Sequence, residues 1–268
     1  MASRRADKQA AHQRRLDTER ALAAHASRTR RLQMLGGMVA AGIVIIVVAV
    51  LLTGNGQHDA VTDASSSAAR SISHQVDQLL RGIPEHGATL GNPRAPVTIT
   101  EFGDLECPYC AQFASGSEAQ LIAHEVRAGA VKLVYRSFET ATGNGPDASL
   151  WPRQQAAAYA AGSQNRAWYY IELFYREQGP EDSGYATTPF LKTVARQIPH
   201  LNYAHWSVDR FSPALARQVL NDESRAQQLG LTGTPIIIAT GPSKRTRPIN
   251  AAAITYEQLR AIIKDVRR

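Results

Sequence analysis

Two cysteines, Cys107 and Cys110, are the only ones in the 268 residues, and two residues separate them. They close the stretch V-T-I-T-E-F-G-D-L-E-C-P-Y-C, Val97 to Cys110. A thiol reacts as its thiolate, and an ordinary cysteine is mostly protonated at neutral pH. A pair at this spacing can cycle between dithiol and disulfide, one sulfur attacking and the other closing the bond. A purely structural staple is the weaker reading, because so short a loop removes little chain entropy. A structural zinc site needs four ligands, and the only histidine pair at suitable spacing, His200 and His205, lies far along the chain. The residues therefore favour redox chemistry, with metal binding and inert thiols as alternatives.

Such a pair needs elements to position it. Val97 to Phe102 alternates β-branched and other residues with a period of two, a strand pattern. Gly103 and Asp104 supply a turn, and Pro108 stands where a first helical residue belongs. Ala111 to Val126 reads as helix, closing at Gly129. The cysteines thus fall where a strand hands over to a helix N-terminus. The unsatisfied N–H groups there stabilise an anion by about 0.3–1 kcal/mol, and by up to ~2 when partly buried. In motifs of this kind the first thiol can fall to roughly pKa 3.5–7. Cys107 is expected to be the exposed nucleophile and Cys110, one turn deeper, its partner. Asp104 and Glu106 are expected to push the Cys107 thiol upward if they lie close.

Beyond the site, charge is distributed unevenly. Residues 1–33 carry nine Lys/Arg against three acids, and the other 235 carry 21 against 20. The basic character belongs to the tail and gives no reason to invoke nucleic acid. Met34 to Leu52 is a run of nineteen residues without a charge. At about 1.5 Å per residue it crosses most of a ~30 Å hydrocarbon core. Basic residues flank its N-terminal side, so the N-terminus is expected in the cytoplasm and the rest outside. The organisation read from sequence is a basic cytoplasmic tail (1–33), a transmembrane helix (34–53), a flexible linker (54–70) and a folded domain (71–268).

Within that domain, Ser71 to Leu80 reads as a short helix and 83–96 as turns. Val131 to Phe138 reads as a second strand, parallel to the first across a right-handed crossover. Helical segments follow at 147–163 and 165–178. Two more helices begin at Thr188-Pro189 and Ser212-Pro213. Thr232 to Pro235 then leads into the strand Ile236–Ala239, Arg247 to Asn250 reads as its return, and a capping box at Thr255–Gln258 opens a final helix.

In this order the features resemble the thioredoxin superfamily, and within it the DsbA-like thiol:disulfide oxidoreductases, over about Gly91 to Val266. The resemblance rests on L-G-N-P-R-A-P-V-T-I-T-E-F, Cys107-Pro108-Tyr109-Cys110, a helical stretch at about 145–230, and Gly233-Thr234-Pro235 before an apolar strand. It implies an α/β thioredoxin fold, a central mixed sheet flanked by helices with a helical insertion, preceded here by one transmembrane helix. It implies a catalytic set of Cys107, Cys110, Pro235 in the cis form and Glu101 as a buried acid, with Thr234, Pro108 and Tyr109 facing substrate. It implies no cofactor or metal, exported cysteine-containing proteins as substrates, and a quinone-linked membrane partner as reoxidant. The central Pro-Tyr pair departs from the Pro-His of strongly oxidising members, which leaves a disulfide reductase or isomerase as the alternative. A thioredoxin-fold metal carrier is the alternative from another class.

Overall fold

The computed structural model describes residues 60–147 and 149–268. The expected tail (1–33) and membrane span (34–53) lie outside them, as does the first part of the 54–70 linker. Among the described residues, no helix is long and apolar enough to cross a membrane. The end of the supposed linker is ordered. Helix α1 (Ser67–Leu80) begins inside it, and its Ser66 cap hydroxyl accepts from the Ala69 N–H at 3.1 Å. Ahead of the cap, Val61 N–H donates to the Glu177 carbonyl, and the Thr62 carbonyl accepts from Thr193 Oγ1. These partners are distant in sequence, so the small polar composition of 54–70 concealed the packing.

Among the described residues, six strands form one sheet. Strand β1 (Glu85–His86) and β2 (Thr89–Leu90) make a hairpin within the stretch read as turns. Two-residue strands carry no readable period. Strand β3 (Val97–Gly103) lies parallel to β4 (Val131–Ser137), aligning Val97 with Val131 and Gly103 with Ser137. Strand β5 (Ile236–Thr240) joins β3 from the other side, antiparallel, and β6 (Ile249–Asn250) pairs with β5. The order is β1-β2-β4-β3-β5-β6, so the strand that ends at the cysteine turn lies in the middle.

The crossover between β3 and β4 is helix α2 (108–126). It is α-helical over Pro108–Phe113 and has π turns at Ala114–Glu118 and Ile122–Val126. Its buried positions include Cys110, Ala114, Glu118, Ile122 and Val126, one every four residues. That spacing exceeds the 3.6 of an α-helix, and the wider i→i+5 turns absorb the difference. Gly129, at φ +74°, ends the segment.

Between β4 and β5 come α3 (Leu150–Gly162), α4 (Ala167–Arg176), α5 (Thr188–Arg196), α6 (Tyr203–Asp209) and α7 (Pro213–Gln228). Helix α5 is capped by Thr187, one residue before the expected Thr188. Helix α6 was not anticipated; its start is fixed by the Asn202 side chain, which accepts from His205 N–H at 3.1 Å. Trp168, Tyr170, Phe174, Phe190 and Trp206 are buried here. Burying each such side chain stabilises the fold by about 1.5–3 kcal/mol. Helix α8 (Tyr256–Arg267) closes the chain behind the expected capping box. The sheet separates a large core, reached by Val97 and Ile99, from a smaller one in which Phe102 packs with Phe138, Ala226 and Ile238.

Candidate active site

Strand β3 delivers the chain to the site and ends on a residue that has to be small. A Cβ on Gly103 would come within 2.8 Å of both the Tyr135 ring and the Tyr175 hydroxyl. Asp104 then turns the chain, its carbonyl accepting from Cys107 N–H at 3.0 Å. Cys107 is the N-cap of α2 and Pro108 opens its first turn, where a missing N–H removes no hydrogen bond. Gln178 Nε2 donates to the carbonyls of Leu105 at 2.6 Å and Cys107 at 3.2 Å, fastening the turn from the side.

The two sulfurs differ sharply. Both are free thiols, Cys110 fully buried and Cys107 only 5 % exposed. The sequence suggested an exposed Cys107. In the fold its Sγ packs against the Thr234–Pro235 segment, 3.5 Å from the Thr234 carbonyl. Its pKa is lowered to about 7, above all by a hydrogen bond from the Cys110 thiol. Burial opposes this, and the Thr234 side chain and the backbone N–H groups of Cys110 and Tyr109 assist it. Cys110 is pushed well above the ordinary thiol value by burial and by donating to Cys107. One sulfur can therefore attack near neutral pH, while the other holds its proton until the first is occupied.

Asp104 and Glu106 are not among the chief causes of the Cys107 shift, and both carboxyl groups are engaged with other segments. Asp104 collects donors from the loop after β4, and Glu106 accepts from Gln154 Nε2 at 2.5 Å. Burial, with Asp104 nearby, raises Glu106 itself to about 7.

Below the cysteines lies a buried carboxyl cluster. Glu101 is fully buried, and burial raises it to about 7. Glu118 of α2 eases that rise, while Glu172 and Cys107 add to it. Neither Glu101 oxygen reaches a partner at ordinary hydrogen-bond geometry, so the Glu118 contact is a loose one. Burial also drives Glu118 well up, and Glu172 up less, with Arg176 paired to Glu172. The buried hydroxyls of Tyr135 and Tyr175 face the same space. Glu101 thus lies as a fully buried carboxyl on the strand that leads to the cysteines. Its companions were missed, although two signals existed: Glu118 sits on the four-residue buried spacing from Cys110, and Glu172 is the lone acid in the apolar helix A-W-Y-Y-I-E-L-F-Y-R.

The remaining predicted residues converge on the same spot. The Thr234–Pro235 peptide is cis. Thr234 is nearly buried, while Pro108 and Tyr109 are exposed, Tyr109 by 59 %. Among the described residues, no group of three or more His, Cys, Asp or Glu could hold a metal ion.

A family model described as thioredoxin matches residues 84–265, and the chain belongs to that family. It stands with the DsbA-like thiol:disulfide oxidoreductases of the superfamily. A relative from Bacillus anthracis, called a probable disulfide bond formation protein D, is 23% identical over 205 residues, covering 76% of this chain and 88% of its own. The oxidised form of BdbD from Bacillus subtilis superimposes with a TM-score of 0.56 at 20% identity, over 78% of this chain and 98% of that one. The alpha-DsbA1 of Wolbachia pipientis does so at 0.55 and 16% identity, over 70% and 92%. At these identities the two structures speak for the fold.

Proposed function

We propose that this protein forms or exchanges disulfides in exported proteins through Cys107 and Cys110, outside the cytoplasm, tethered by the apolar run at 34–53. The observation that carries the reading is the unequal thiol pair: Cys107 brought to about 7 by its neighbour, and Cys110 held protonated beneath it. A substrate thiolate attacks Cys107 Sγ of the oxidised enzyme, forming a mixed disulfide and releasing Cys110 as the leaving thiolate. A second substrate thiol, as its thiolate, then attacks the substrate sulfur of that bond and releases Cys107. The substrate leaves with one disulfide and the enzyme with two reduced sulfurs, two electrons having passed inward. Glu101 takes or gives the proton at Cys110. An extended substrate segment pairs with the Thr234 backbone, whose N–H makes no hydrogen bond among the described residues. Pro108 and Tyr109 border it. A quinone-linked membrane partner would reoxidise the pair. Under this reading residues 1–33 stay in the cytoplasm, and the part of the 54–70 linker ahead of Val61 gives the domain its reach.

The reverse direction, a membrane-fed reductase or isomerase, has one observation in its favour. A first-cysteine pKa near 7 is the value of thioredoxin, whereas strongly oxidising relatives reach about 3.5. The reduction potential decides: about −120 mV marks an oxidant and about −270 mV a reductant. The test of exchange itself is trapping. Cys110→Ser removes the sulfur that would displace a bound substrate from Cys107. The Cys107 thiolate of the variant attacks disulfides already present in exported proteins, one substrate sulfur leaving as its thiolate, so the variant expressed in a host that exports such proteins should accumulate mixed disulfides linked through Cys107, read by mass spectrometry. A folded, exported variant that captures nothing would refute exchange.

A further inference from the structure

Three segments far apart in sequence meet beside Cys107: the turn 104–107, the loop 138–142 after β4, and the segment 231–235 before β5. The last is the least anchored. Among the described residues, no backbone hydrogen bond holds Thr232, Gly233 or Thr234; the bonds resume at Leu231, to Ala226, and at Pro235, from Ala251. Two contacts locate Thr234 instead. Its carbonyl meets Cys107 Sγ, and its hydroxyl lies 2.6 Å from the hydroxyl of Thr140.

Thr140 is itself held by Asp104. The N–H groups of Thr140, Ala141 and Thr142 converge on Asp104 Oδ2 at 2.8, 2.9 and 3.1 Å. Thr142 Oγ1 and Glu106 N–H donate to Oδ1 at 2.7 and 3.1 Å. Three successive amides pointing at one oxygen make an anion-binding nest, here filled from within the chain. A carboxyl group offers at most about four lone-pair sites, and five donors meet this one. The contacts close a ring: Asp104 to Cys107 along the backbone, Cys107 to Thr234 through sulfur, Thr234 to Thr140 through hydroxyls, and Thr140 back to Asp104.

We propose that Asp104 and Thr140 are positioning residues of the exchange site, holding the Thr234 edge at the distance from Cys107 that a bound peptide requires. Asp104 fixes the loop and Thr140 transmits its position to the one segment that lacks backbone anchors. The assignment rests on the reading that substrate pairs with Thr234. It distinguishes substrates by shape: an extended cysteine peptide needs the edge, whereas a small dithiol needs only Cys107.

The test uses the full chain in its disulfide form, with a reduced two-cysteine peptide and dithiothreitol as alternative substrates. Thr140→Val keeps the side-chain volume and deletes the hydroxyl bond. It should raise the peptide KM by about three- to tenfold, the equivalent of one neutral hydrogen bond, with kcat and the dithiothreitol rate unchanged. Thr140→Ser should restore the peptide KM, and Asp104→Asn should raise it more than Thr140→Val does. An unchanged peptide KM in Thr140→Val, or equal loss with both substrates, would overturn the assignment while leaving exchange intact. If the unaltered protein fails to oxidise either substrate, the exchange reading itself falls, and the assignment with it.

Discussion

Two carboxylates at the end of β3, three residues apart, have opposite surroundings. Asp104 meets five hydrogen-bond donors. Glu101 meets none at ordinary geometry, and its closest company is two more buried acids and a thiol. The side of the site is therefore a satisfied polar network, and the floor is an unsatisfied one. A satisfied network fixes backbone in place. Buried acids with too few partners keep their protons into the neutral range, which is where a dithiol must gain and lose its own. Burial alone does not distinguish a structural acid from a functional one; the count of donors around it does.

Removing the satisfied acid should have the larger effect on stability. Asp104→Ala leaves a group of buried donors without an acceptor, and we expect a loss of about 3–5 kcal/mol. For a domain of this size that lowers Tm by roughly 10 °C or more. A fall of only a degree or two in a thermal melt would break the comparison.

The floor should respond with the opposite sign. Glu101 binds its proton more tightly folded than unfolded, so between the ordinary value of 4.5 and about 7 the folded state holds the extra proton. Stability then falls as pH rises through that window. Glu101→Gln removes this fall, and above pH 7 the variant should be more stable than the parent by about 1–3 kcal/mol. A smaller slope of the same sign should remain from Glu118 and Glu172, which are raised as well. Urea unfolding at pH 5 and pH 8 measures it; an unchanged slope would mean the charge resides elsewhere. The same variant should shift the pH profile of disulfide exchange, since the proton on Cys110 loses its neighbour.

The smallest effect on the fold belongs to the rim. Tyr109 is 59 % exposed, and Tyr109→Ala should change stability by no more than about 0.5 kcal/mol while weakening peptide binding. A large stability loss would place Tyr109 in the packing and not at the substrate edge.

Sequence reading reached the parts of this design that local chemistry specifies. The strand–turn–helix around Cys107 is marked by β-branched alternation, a glycine and a proline. The strand after Pro235 is a run of isoleucines, and the last helix carries its capping box. What escaped it depends on contacts distant in sequence. Thr140 is an ordinary loop threonine until Asp104 and Thr234 are placed beside it. Glu118 shows only as a four-residue spacing from Cys110, which an α-helix of period 3.6 would carry off the buried face; the π turn at Ala114–Glu118 keeps it there. The same holds for Asp104: its nearness to Cys107 in sequence suggests electrostatic pressure on the sulfur, and gives no sign that the side chain also gathers the loop after β4.

The central claim is that one sulfur attacks and the other waits, and alkylation of the reduced protein tests it most directly. Rates of modification by iodoacetamide, mapped by peptide mass spectrometry from pH 5 to 9, should show Cys107 reacting with a midpoint near 7. Cys110 should stay essentially unlabelled throughout that range. Equal labelling of the two, or Cys110 reacting first, would contradict the account.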